Sequence, residues 1–193
     1  MSVLKFPNVK LLEQIFNPHW NYFLALEEDF KNTLRYIELD KQNFKTYSIE
    51  YTKIILSSCS EIEIILKEIS EHVFGTKNGK DIIGYYKTII TKGHSKKYLI
   101  DIVGVFQNPD LKLKPWHRWT SKIRPKWWSN YQNVKHNRHK YYTEANLKNC
   151  LYSLSALLLL NVFIDKYYNL MRDISPTFVF YSKKVPQYLT HSD

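Results

Sequence analysis

A chain of 193 residues suits one domain with a single substantial core, and 44% apolar with 24% charged side chains is the composition of a soluble globular protein. Five Gly and seven Pro leave little room for linkers, and two Cys exclude a disulfide-stapled scaffold. The formal charge of +10 points to a polyanionic partner, nucleic acid first among them.

In chain order, Val9 to Phe16 reads as one or two helical turns ended by Pro18. From His19, the residues Tyr22/Phe23, Leu26, Phe30, Leu34 and Ile37 recur at three to four positions, predicting a first long helix over about 19–36. Ile37 to Thr46 reads as a loop. Ser48 is a natural N-cap for a second helix over 48–73, where Ile55, Cys59, Ile62, Leu66, Ile69 and Val73 form a seam and Gly75 closes it. Its charges, among them Glu61 and Glu63, read as a solvated face. A short helix over 81–91 follows, headed by Asp81 and stopped by Gly93. Tyr98 to Phe106 is β-branched enough for a strand, and Thr177 to Ser182 has the composition to pair with it.

The window from Leu111 to Thr143 stands apart. It holds nine Lys/Arg (Lys112, Lys114, Arg118, Lys122, Arg124, Lys126, Lys135, Arg138, Lys140), four of the five Trp, three of the seven His and no acid. Such a window makes a localised positive surface, and the remainder of the chain is near neutral. Its second part predicts a helix over about 126–139. On a wheel, Trp127, Tyr131, Val134 and Arg138 share one side, to pack inward with Arg138 snorkelling. Trp128, Gln132, Lys135, His136 and His139 share the other, a polar stripe with two imidazoles. Thr143 is placed to cap a last helix over 143–170, whose face from Leu147 to Ile164 is the most apolar in the chain. The sum is a mainly α fold, a four- to five-helix up-and-down bundle with a small β addition, in one domain spanning 1–193.

Trp128-x-x-Tyr131-x-x-Val134-Lys135-His136-x-Arg138, then Tyr142-x-x-Ala145-Asn146-Leu147 and a leucine-rich helix, resembles members of the HEPN superfamily. The likeness spans roughly 45 residues closely and the rest only in layout. It implies a helical bundle that acts on or binds RNA, in some members as a homodimeric, metal-independent endoribonuclease of bacterial defence or toxin–antitoxin systems with a cognate antitoxin. Carried over, His136 is the catalytic acid–base, Asn133 orients, and Arg138 with Lys135 meets phosphate. The family's Arg ahead of the His is missing, since Asn130, Tyr131 and Gln132 stand there.

The wider RNA surface would draw on Lys135, His139, Gln132, Trp128, Arg118, Lys122, Arg124 and Lys126. The contrasting reading is a non-catalytic bundle that binds nucleic acid or a partner protein through a basic, Trp-rich face. Buried Trp is the commoner situation in a bundle, so Trp127 is expected inside with at most one or two of the others exposed. No metal or cofactor is expected. His136-x-x-His139 and Glu68-x-x-x-His72 have helical ligand spacing, but no Glu-x-x-His pair accompanies them and cations surround them. A Gly-rich phosphate loop, a Ser nucleophile elbow and a Cys-His pair with recognisable context are absent, which disfavours an NTPase, a Rossmann enzyme or a classical hydrolase. With no signal-peptide core, and with Asn149 to Ile164 shorter than the ~20 residues of a membrane span, the expected setting is the cytoplasm.

Overall fold

The structure, a computed structural model, describes residues 9–73, 84–85, 104–105, 111–117, 119 and 123–168. Its described part is a bundle of four helices: α1 (Val9–Thr33), α2 (Ile49–Glu68), α3 (Lys126–Tyr141) and α4 (Leu147–Tyr168). Helices α1, α2 and α4 pack against one another, and α3 lies on α2 and α4.

Helix α1 buries Phe16, Trp20, Phe23, Leu26 and Phe30 at spacings of three and four. It runs straight through Pro18, ten residues earlier than the sequence predicts. An interior proline costs about 3 kcal/mol by deleting a hydrogen bond and crowding the previous turn. Burying Phe16 and Trp20 on either side stabilises by about 1.5–3 kcal/mol each. The two aromatics offset the proline, which keeps its ring on the exposed face.

Helix α2 starts as its sequence predicts. Ser48 is extended and its hydroxyl accepts from the Tyr51 amide at 3.1 Å, satisfying one of the orphan donors of the first turn. The helix buries Ile54, Ile55, Cys59, Ile62, Ile65 and Leu66, then widens into a π turn over Ile69–Val73. Its charges are not all solvated. Glu61 accepts a hydrogen bond from His19 of α1, and Glu63 faces Lys135 of α3.

Helix α4 is the axis of the fold. From Leu147 to Asp165 only Lys148 and Tyr152 escape full burial. Thr143 is not its cap: the helix begins at Leu147, and the Asn146 side chain accepts from the Asn149 amide at 3.1 Å. Thr143 sits in a 3-10 turn, Tyr142–Glu144, and its carbonyl accepts from the Asn146 side-chain Nδ2 at 2.9 Å. The stretch Leu147–Asp165, at 19 residues, is long and apolar enough to cross a membrane, contrary to the shorter run read from sequence. Its burial among the other helices is a sufficient account of that apolarity.

A two-stranded antiparallel pair, β1 (Gly104–Val105) and β2 (Lys112–Leu113), is the small β addition. Of the expected strand 98–106 only Gly104 and Val105 are described, and they pair locally with Leu113 and Lys112. The expected partner 177–182, and most of the expected helix 81–91, lie outside those residues, although the Tyr85 carbonyl accepts from Ser70 at 3.2 Å. At one end of the bundle the α1–α2 loop is clipped to the α3–α4 turn. Leu147 donates to the Thr46 carbonyl at 2.8 Å, Ser48 to Ala145 at 3.3 Å and Lys148 to Phe44 at 3.3 Å.

Candidate nucleic-acid interface

The two ends of α3 have opposite surroundings. At the N-terminal end Trp127, Trp128, Tyr131 and Val134 are buried. The segment before the helix brings Trp116 and Trp119 onto them. Trp116 stacks on Trp119 at 5.2 Å, and Trp128 meets Trp119 at 5.1 Å, Trp127 at 5.6 Å and Tyr131 at 4.9 Å. The Trp127 indole donates to the Pro115 carbonyl at 2.9 Å and that of Trp116 to Ala156 at 3.2 Å, which fixes this segment to α4. These tryptophans are core.

Trp128 is therefore withdrawn as a nucleic-acid contact, because its exposure is 0%. The wheel put it on the polar stripe, but Trp119, from the segment ahead of the helix, packs on that side and supplies an apolar neighbour a wheel does not include. All four tryptophans of the basic window are buried, within the expectation that at most one or two besides Trp127 would be exposed.

Beyond Val134 the helix emerges. Lys135, His136, Asn137, Arg138, His139 and Lys140 are all exposed, while Gln132 and Asn133 are half-buried. Arg138 does not pack inward as the wheel suggests. The helical geometry breaks at Asn137 (φ −141°, ψ 52°), which turns Arg138, His139 and Lys140 off the register of the preceding turns. The same break removes His136 and His139 from simple i, i+3 spacing. Among the described residues no three His, Cys, Asp or Glu side chains converge.

Two of the expected RNA-facing groups are held by carboxylates. The Lys135 ammonium lies 3.8 Å from Glu63 and 5.4 Å from the centre of the Tyr131 ring. The Asn133 amide donates to Glu144 at 3.0 Å, and the Glu144 carbonyl accepts from Asn149 at 2.7 Å. Sequence reasoning missed Glu144. The available signal was its place as the first acid after thirty-three residues without one. Of the remaining expected contacts, Arg124 and Lys126 are exposed just ahead of and at the start of α3, whereas Arg118 and Lys122 lie outside the described residues.

The chain matches no protein-family model, no curated protein and no solved structure. The HEPN likeness rests on the residues quoted above, and the chemistry of the site is read from its own geometry.

Several reactive groups nearby are chemically quiet. Burial, then the Glu63 carboxylate and the Cys59 thiol, raise the Tyr131 phenol well above its ordinary range, so it stays neutral. Burial likewise pushes the thiols of Cys59 and Cys150 well up, and a buried protonated thiol is a poor nucleophile. The accessible titratable groups at this end of α3 are thus the imidazoles of His136 and His139 beside Arg138 and Lys140.

Proposed function

We propose that the protein binds RNA through the exposed end of α3, Lys135 to Lys140, and cleaves it without a metal, with His136 as acid–base group. One observation carries this reading: six consecutive exposed residues supply two imidazoles, two lysines and an arginine, with no carboxylate among them. An exposed imidazole can take the proton of a 2′-hydroxyl as that oxygen attacks the adjacent phosphorus. The Arg138 guanidinium offers charge to the oxygens that become negative as the new bond forms and the bond to the 5′-oxygen breaks. The leaving oxygen needs a proton, available from His139 or from the same end of a second copy. The HEPN resemblance supports a homodimer, a cognate antitoxin and a defence setting as parts of the same proposal.

A second reading is favoured by one contact. Asn133, the orienting group of the resemblance, is engaged by Glu144 instead, and this suits an RNA-binding module that does not cut. Cleavage of single-stranded RNA in EDTA, wild type against His136→Ala, separates the two. Loss of cleavage on substitution supports the enzyme. No cleavage by either protein, with binding that weakens as salt rises, supports the module. Absence of both ends the RNA assignment.

A further inference from the structure

With the tryptophans buried, the basic end of α3 needs another aromatic surface if it is to hold unpaired bases. The clipped end of the bundle carries one. Tyr47 meets Tyr142 edge to face, with ring centres 5.2 Å apart and planes at 76°. Tyr47 is 47% exposed, and Ile49 beside it 64%. The backbone under them is fixed on both sides: Tyr47 forms a bridge with Asn146, and its neighbours Thr46 and Ser48 bond to Leu147 and Ala145. A large ring is therefore held rigidly on a stapled loop while about half its surface faces solvent.

The charge around this pair is positive. Tyr142 is separated from the Arg138-His139-Lys140 segment only by Tyr141, whose ring centre lies 5.3 Å from the Lys140 ammonium. Lys45 in the loop before Tyr47 and Lys148 in the first turn of α4 are also exposed, and the Lys148 amide donates to the Phe44 carbonyl beside Lys45. Of the neighbouring carboxylates, Glu50 is paired with Lys53 at 2.9 Å, and Glu144 is turned to the Asn133 amide at 3.0 Å, a contact that does not neutralise it. A ring flanked by cations is how sequence-tolerant single-strand binders combine stacking with phosphate neutralisation.

We infer that Tyr47, backed by Tyr142, is a stacking platform for an unpaired base of single-stranded RNA, with the neighbouring phosphates met by Lys45, Lys148, Arg138 and Lys140. This rests on the RNA-binding reading above and names the substrate as single-stranded rather than duplex.

The test is fluorescence anisotropy with three labelled probes of equal length: a single-stranded RNA, the same backbone with abasic sites, and a duplex RNA. Wild type should prefer the base-bearing single strand to the abasic one by at least about fivefold. Tyr47→Ala and Tyr47→Leu should lose that preference and leave abasic binding unchanged, whereas Tyr47→Phe should keep it. Unchanged thermal unfolding midpoints will show that the variants fold. Arg138→Ala should weaken binding of all three probes alike.

Equal binding of base-bearing and abasic strands by wild type would overturn the platform and leave RNA binding standing. So would a Tyr47→Ala protein with unaltered preference, or one altered only in its sedimentation, which would make the patch a contact between copies. No binding to any probe would remove the platform and the RNA reading together.

Discussion

The two halves of α3 share one helix and one composition, aromatic and basic, yet they end in opposite environments. From Trp127 to Val134 the aromatic side chains are sealed among other rings, and beyond Lys135, which still faces Glu63, the cations are exposed. In the sequence the two kinds of residue are interleaved across the window from Leu111 to Thr143, which invites a single aromatic–basic surface. The fold sorts them instead. Indoles gain most from burial, guanidinium and ammonium groups lose most, and a helix whose last turns project beyond the bundle lets each settle accordingly. An interleaved motif is therefore a poor guide to a surface until the burial of each ring is known.

The strongest way to break this contrast is Trp128→Ala. The ring is fully buried against Trp119, Trp127 and Tyr131, and its removal should cost about 3–5 kcal/mol in a urea titration. A cost below about 1 kcal/mol would mean that the indole stands in solvent after all.

Alkaline unfolding probes the same interior. The Tyr131, Cys59 and Cys150 groups are all raised in the folded protein, so the unfolded chain releases their protons first as pH rises. The stability they contribute is complete below the ordinary thiol value near 9 and is lost progressively above it, as the folded values are approached. The denaturation midpoint should fall from about pH 9 upward, and a thiol reagent should label the cysteines only after unfolding.

Asn146→Ala removes the cap of α4 and should cost about 1 kcal/mol in the same titration. The smallest effect on stability belongs to Arg138→Ala, within about 0.5 kcal/mol for an exposed side chain. Its effect should appear in RNA binding, where losing one phosphate contact lowers the salt slope by about 0.7 for a single strand. A large stability loss for Arg138→Ala would show that the basic end is part of the core.

Much of the bundle could be read from residue spacing. The Ser48 cap, the seam of α2 and the pairing of a basic helix with an apolar one follow from local chemistry and periodicity. The start of α1 did not, because Pro18 breaks helices locally and only the tertiary burial of Phe16 and Trp20 reveals why it is tolerated. The cap of α4 was misplaced by three residues, since Thr143 and Asn146 are both good caps and the 3-10 turn between them decides. At the candidate site, the exposure of His136 followed from its place among polar neighbours. The capture of Asn133 by Glu144 and of Lys135 by Glu63 depends on how helices meet, information that no single segment carries.

The staple joining Ser48 to Ala145 and Thr46 to Leu147 also bears on how the molecule assembles. It ties together two points about a hundred residues apart, a closure whose entropic cost grows only slowly with the length enclosed. The first turns of α2 and α4 rise from the same knot, each beginning beside the residue that secures the other. Untying it frees both helix starts at once, so these two starts should be gained and lost as a unit.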